Sequence, residues 1–172
     1  GPKGCGKSKL GEQVCARLGI PFFRVNFSED AESARLFGSV DAVEGSLDWV
    51  AGMAELAAQC GGFLQLDEVS ACPPGIALSM QWMMERDGKI LLENKPARCG
   101  DRLIRPKKGF HILCTDNTTL QGDTSGKYTG TQVQNEAFID RMQYTLAMGY
   151  LAAGIEADMI RGYHPTLKKA VI

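Results

Sequence analysis

The sequence predicts an α/β fold, a mostly parallel sheet with helices on both faces. Three observations predict it. Apolar segments that fit strands alternate with periodic segments that fit helices, the order that builds parallel sheets through crossover helices. A glycine-rich octapeptide, Gly1-Pro2-Lys3-Gly4-Cys5-Gly6-Lys7-Ser8, stands directly before the first helical segment. Two apolar runs end in polar residues, Leu64-Gln65-Leu66 in Asp67-Glu68 and Phe110–Cys114 in Thr115-Asp116-Asn117. In open parallel sheets ligands sit beyond such carboxyl ends.

The elements follow in order. Lys7 to Leu18 reads as a helix, because Leu10, Val14 and Leu18 share one face at i, i+4 and i+8. Gly19 ends it and Pro21 prevents its continuation. Phe22–Asn26 is a short aromatic strand. Ser28 is placed to cap a helix running from Glu29 towards Phe37, with acids in its first turn. Residues 38–45 read as a turn, and Leu47 to Cys60 as a helix stopped by Gly61-Gly62. The strand Phe63–Leu66 follows. A helix from Pro73 to Asp87 has Pro74 near N1 and Met80, Met83 and Met84 as core filler. Lys89–Leu92 and Arg102–Arg105 are the arms of a hairpin with a basic tip at Lys95-Pro96-Ala97-Arg98. After the strand ending at Cys114 come a Gly/Thr/Ser-rich loop (122–130), a short helix from Val133 to Ile139, a strand from Tyr144 to Met148, and a further helix starting at Ile155.

At 172 residues and 44% hydrophobic, the chain is long enough for one globular domain that needs no covalent staple. Its six cysteines are scattered, without the paired spacing of a zinc site. Free thiols in such a domain suit a reducing, cytoplasmic compartment. No apolar run approaches the ~18 residues of a membrane span. The net charge of −1 hides an asymmetry: residues 29–68 carry nine acids and one base, residues 86–108 eight bases and three acids. The basic stretch is either a solvated face or a surface for a partner.

The octapeptide fits G-x-x-x-x-G-K-[ST]. Its glycines leave backbone N–H groups free to surround a phosphate, and the following helix adds its positive end. Lys7 reaches the terminal phosphates, and the Ser8 hydroxyl is a ligand for Mg²⁺. Asp67, at a strand end 60 residues after Lys7, suits a Mg²⁺ site reached mainly through water. Glu68 suits the orientation of an attacking water. Asn117 is placed to hold that water from the other side or to contact the γ-phosphate, with Thr115 and Asp116 as competitors for the role. Arg141 is placed to reach a neighbour's phosphate; its plainer reading is an ion pair with Asp140 or another acid. His111 and His164 read as structural, and Trp49 and Trp82 as core or interface residues.

These elements resemble an AAA+ ATPase of the MoxR-like branch, most of all the CobS-type AAA+ subunits of aerobic cobaltochelatase (dynein-related AAA domain). The likeness rests on the octapeptide, Arg24-Val25-Asn26-Phe27, Leu64–Glu68, Cys114–Thr118, Gly122-Asp123-Thr124-Ser125-Gly126 with Tyr128 and Gly130-Thr131-Gln132, and Asp140-Arg141. It implies a P-loop NTPase fold of AAA+ type with a β-hairpin insertion before sensor 1. It implies ATP and Mg²⁺ as cofactors, with Walker A at Gly1, Pro2, Lys3, Gly4, Cys5, Gly6, Lys7 and Ser8. Walker B is then Asp67 and Glu68, sensor 1 is Asn117, and Arg141 is an arginine finger acting in trans within a homo-oligomeric ring, a hexamer in such families. A protein substrate or partner subunit is implied as well. Residues 1–152 are expected to form the nucleotide-binding core and 153–172 the start of a helical lid. The strand that precedes the loop in this family, and most of the lid, are expected to be missing from the sequence.

Two other classes compete. A nucleic-acid motor would use the basic hairpin on the phosphate backbone, but residues 86–108 hold no aromatic to stack on bases. A switch module that binds nucleotide with little turnover would not require Lys7, Asp67, Glu68 and Arg141 together.

Overall fold

A computed structural model describes residues 1–28, 31–117 and 136–164. Its centre is a three-stranded parallel sheet in the order β1 (Phe22–Asn26), β4 (Phe63–Asp67), β7 (His111–Cys114). The register aligns Phe22 with Phe63 and His111, and Arg24 with Gln65 and Leu113. Because side chains alternate across a strand, Leu64 and Leu66 of β4 face one side of the sheet and Gln65 and Asp67 the other.

The leucine side holds the core. Val25, Leu64 and Leu66 cluster with Ala54, Ala57 and Ala58 of α3 (Met53–Cys60) and with Ile76, Met80 and Met83 of α4 (Pro74–Met84). Alanines on α3 let its backbone approach the strands. Pro74 starts α4, where a missing N–H costs nothing.

The opposite side carries α1 (Lys7–Leu18), and its approach is close. A Cβ at Gly11 would overlap the Gln65 side chain and crowd those of Leu113 and Phe22. The buried face of α1 is therefore Gly11 and Cys15. This corrects the inward face expected from Leu10, Val14 and Leu18, which are exposed. Hydrophobic spacing found a true helix but the wrong side, because close approach selected glycine over bulk. Along the same side Phe22, Phe63 and His111 stack in a row, with ring centroids 6.5 and 6.3 Å apart.

Two antiparallel hairpins flank this frame. Residues 38–51 form strands β2 (Gly38–Val43) and β3 (Ser46–Ala51), not a turn followed by the start of a helix. Glu44 and Gly45 both have positive φ (50° and 85°), the two-residue turn whose twist matches a hairpin. The α3 helix starts only after Gly52. The second hairpin pairs β5 (Ile90–Leu91) with β6 (Leu103–Ile104), the insertion expected before Asn117. The α2 helix is short, Ser33–Phe37. Ser28 does not cap it; its carbonyl accepts from Ala31 N at 3.0 Å.

Towards the C-terminus lie α5 (Glu136–Ile139) and α6 (Ala153–Tyr163). Residues 144–148, expected as a strand, pair with no strand among the described residues, and Tyr144 is 94% exposed. An extended segment becomes a strand only where a neighbour supplies the ladder. The distinctive Gly122–Gly130 segment, with Tyr128, Thr131 and Gln132, lies outside the described residues, as do Thr118 and positions 29 and 30. No described helix is long and apolar enough to cross a membrane.

Candidate functional site

The octapeptide is a loop that turns into α1 at Lys7. Gly4 and Gly6 have φ of 84° and 92°, the left-handed region that side chains resist. The Gly6 carbonyl then accepts from Lys9 N and Leu10 N at 3.1 and 3.0 Å, which closes the first helical turn. Among the described residues no acceptor takes the N–H groups of Gly4, Cys5, Gly6, Lys7 or Ser8. The loop thus presents consecutive unpaired donors and a helix N-terminus, the chemistry of an anion cradle. Lys7 Nζ donates to the carbonyls of Gly1 (2.7 Å) and Pro2 (2.6 Å) and to Asn117 Oδ1 (2.9 Å).

Asp67 ends β4 with its side chain 1% exposed. A buried carboxylate needs partners, and each oxygen has its own. Oδ1 accepts from Gln65 Nε2 at 2.9 Å and from the Thr115 hydroxyl. Oδ2 has no hydrogen bond of regular geometry, yet the Arg24 guanidinium makes an ion pair with it. Gln65 Nε2 also donates to the Ser8 carbonyl at 3.1 Å, so one amide ties α1 to the Asp67 carboxylate.

Glu68 follows in a left-handed conformation (φ 56°, ψ 49°), which turns the chain sharply out of the strand. Such a conformation is uncommon for a residue with a Cβ and persists only where the surroundings enforce it. Here they do. Val69 N donates to the Thr115 carbonyl at 3.1 Å and Ser70 N to Asp116 Oδ1 at 3.2 Å, which ties the turn to the end of β7. Asn117 Nδ2 donates to Glu68 Oε1 at 3.4 Å while its Oδ1 accepts from Lys7. One amide thus joins Lys7, Glu68 and Asn117.

Arg141 is not part of this cluster. Its Nη2 pairs with Glu85 Oε1 at 3.2 Å, just past α4, and its Nη1 donates to the Ala137 carbonyl. The plainer expectation, an ion pair with an acid, describes this arrangement, with Glu85 in place of Asp140.

Sequence reasoning gave Gln65 and Arg24 no role and Thr115 only a competing one. The signal for Gln65 was present: an amide in the middle of Phe-Leu-Gln-Leu-Asp is out of place unless it has buried partners. Arg24 required the strand register, which places it beside Gln65 and diagonally across from Asp67.

The residues fit Mg²⁺ with nucleotide. The donors are oxygens, as a hard cation requires, and a single carboxylate with a hydroxyl suits an ion that keeps most of its waters. The unpaired loop amides suit phosphate oxygens. Burial raises the thiol pKa of Cys72, just beyond this turn, to about 12.

Comparison with known proteins agrees with this geometry. Residues 1–142 match the AAA domain (dynein-related subfamily). The aerobic cobaltochelatase subunit CobS of a Sinorhizobium species is 34% identical over 172 aligned residues, covering 93% of this chain and 48% of that protein. Protein CbbQ of Hydrogenophilus thermoluteolus is 38% identical over 160 residues, covering 93% of this chain and 55% of that protein. The chain spans about half the length of these curated relatives. A crystal structure of a candidate ATPase from Cytophaga hutchinsonii shares the fold, with a TM-score of 0.71 over 98% of this chain and 46% of that one at 19% identity. The expectation drawn from the motifs is met, and the chain belongs to the AAA domain family, dynein-related subfamily.

Proposed function

We propose that this chain binds and hydrolyses ATP as part of an oligomeric AAA+ ATPase that remodels a partner protein. The observation that carries the reading is the pair of amide bridges. Gln65 joins Ser8 to Asp67, and Asn117 joins Lys7 to Glu68. Segments up to 110 residues apart in sequence meet at these two amides, which supports the reading.

In this reading Gly1, Pro2, Lys3, Gly4, Cys5 and Gly6 wrap the phosphates, and Lys7 leaves the loop carbonyls to meet their charge. Ser8 and Asp67 hold Mg²⁺, which when bound neutralises charge on the phosphates. Glu68 orients the attacking water, and Asn117 holds both Glu68 and that water in place. Arg141 serves a neighbouring subunit in a ring, a hexamer in our reading, and would leave Glu85 to do so. Residues 1–152 act as the nucleotide core and 153–172 as the start of a lid. Six free thiols suit a reducing cytoplasm. By analogy with CobS the partner is a chelatase subunit; a chaperone-like role on another protein uses the same site.

The nucleic-acid reading loses support, because the basic stretch is partly structural. Lys95 is buried against Glu55, Arg98 Nη2 donates to the Leu47 carbonyl, and Arg102 Nε donates to the Lys95 carbonyl.

Calorimetry and phosphate release test the proposal. Lys7→Ala is expected to abolish ATP binding, whereas Glu68→Gln keeps binding and loses turnover. Unchanged affinity in the first variant, or undiminished phosphate release in the second, would overturn the assignment.

A further inference from the structure

Arg24 is a cation placed where the proposed chemistry requires another one. It lies on β1 beside Gln65, on the sheet side that faces α1, and reaches Asp67 diagonally across the β1–β4 pair. The two ends of the ion pair differ in burial: the Arg24 side chain is 45% exposed and that of Asp67 is 1% exposed. The guanidinium therefore approaches the carboxylate from the solvent side.

The carboxylate's two oxygens are divided by chemistry. Oδ1 takes the neutral donors, Gln65 Nε2 and the Thr115 hydroxyl, which fix its orientation. Oδ2 takes only the charge of Arg24 and forms no regular hydrogen bond. Arg24 is therefore not needed to aim the carboxylate. Its contribution is to neutralise a buried charge, and a half-exposed arginine can withdraw into water without disturbing the sheet.

We propose that Arg24 is the resident counter-cation of Asp67 and competes with the divalent ion for Oδ2. The inference rests on the reading of Asp67 as a Mg²⁺ ligand. Two cations cannot share one carboxylate oxygen without repulsion. Arg24 accordingly lowers the affinity for metal and holds the carboxylate while the metal is away. It is a positioning residue for the metal rather than a catalytic one.

Two measurements on the full chain test this without reference to turnover. The first titrates Mn²⁺ in the presence of saturating ADP and follows free Mn²⁺ by electron paramagnetic resonance. Arg24→Gln is expected to bind Mn²⁺ about five-fold more tightly than wild type, the factor that an ion pair with one half-exposed partner supports. The same variant should melt below wild type in EDTA, and Arg24→Lys should stay near wild type in both. Equal or weaker Mn²⁺ binding by Arg24→Gln would overturn the proposal. The second measurement uses wild type alone, so it stands even if the variant does not fold. Butanedione modification of Arg24, read by peptide mass spectrometry, is expected to be faster with Mg²⁺ and ADP than with ADP and EDTA. An equal or slower rate would also overturn the proposal. Failure of wild type to bind Mn²⁺ with ADP at all would instead defeat the assignment of Asp67 and the loop, which separates the two readings.

Discussion

Lys95 is the most informative single position for stability. It sits in the loop between β5 and β6 with its side chain 6% exposed, 2.6 Å from Glu55 Oε1 on α3, itself 2% exposed. Trp49 Nε1 donates to Glu55 Oε2 at 2.8 Å and Gln59 Nε2 to Glu55 Oε1 at 2.9 Å. Lys95 Nζ also lies 5.9 Å from the Trp49 ring centroid. The cluster joins both hairpins to α3. Lys95→Met would leave Glu55 with two neutral donors and no counter-charge. Removing one partner of a buried pair costs about 3–5 kcal/mol, a large share of the roughly 5–15 kcal/mol that holds a domain folded. At about 2–4 °C per kcal/mol for a chain of this size, the melting temperature should fall by about 6–20 °C. Replacing both residues by well-packed apolar ones should recover most of that loss, since a buried pair is often no better than its hydrophobic substitute. Urea unfolding of the four proteins of a double-mutant cycle, read by tryptophan fluorescence, measures the coupling. The reasoning fails if Lys95→Met costs less than about 1 kcal/mol, the value of an exposed pair, or if the double variant is as unstable as the two single ones combined.

Two further outcomes are expected. Arg141→Ala subunits mixed into wild type should lower ATPase activity more steeply than dilution, since one finger would serve a neighbouring site; a linear fall would place Arg141 outside the shared site. Burial raises the Cys72 pKa from its ordinary value near 9 to about 12. A raised folded-state pKa means that this contribution to stability is complete below about pH 9 and is lost as the pH climbs towards 12. The urea midpoint should therefore drop between pH 8.5 and pH 11 (approximate settings). Cys72→Val should lessen the drop without abolishing it, because burial also raises the Cys114 thiol to about 12; an undiminished drop in that variant would remove Cys72 as a cause.

Much of the site was legible because its residues belong to short, local patterns. The octapeptide needs only its own glycines, lysine and serine, and Asp67-Glu68 needs only the apolar strand before it. The hairpin at 38–51 was missed for a physical reason. Glu44-Gly45 is a weaker turn signal than Asn-Gly, and Trp49-Val50-Ala51 runs straight into a helical pattern after Gly52, so the two periods merge. Lys95 was missed differently. Read along the chain it belongs to a basic run, but its partner Glu55 lies 40 residues away, and a charge's burial is set by the partner that the fold brings to it.

The same distinction explains why the supporting residues of the site escaped the sequence. The sheet has two unlike sides. One is apolar and packs against α3 and α4, so its residues announce themselves as strand core. The other faces α1 and carries Arg24, Gln65, Asp67 and, just past β7, Thr115, residues that would weaken any ordinary core. They are tolerated because they converge on Asp67: Gln65 and Thr115 hold one oxygen and Arg24 neutralises the other, while Gln65 Oε1 has no hydrogen-bond partner among the described residues. A buried polar group is costly alone and acceptable within a connected network. Gly11 completes the arrangement, since its missing side chain is what lets α1 descend until the Ser8 carbonyl meets Gln65. Replacing Gln65 or Thr115 would leave Oδ1 of the buried carboxylate with a single donor, so Gln65, Thr115 and Asp67 act as a unit. That unit fixes where Asp67 stands relative to Ser8 before any ligand binds.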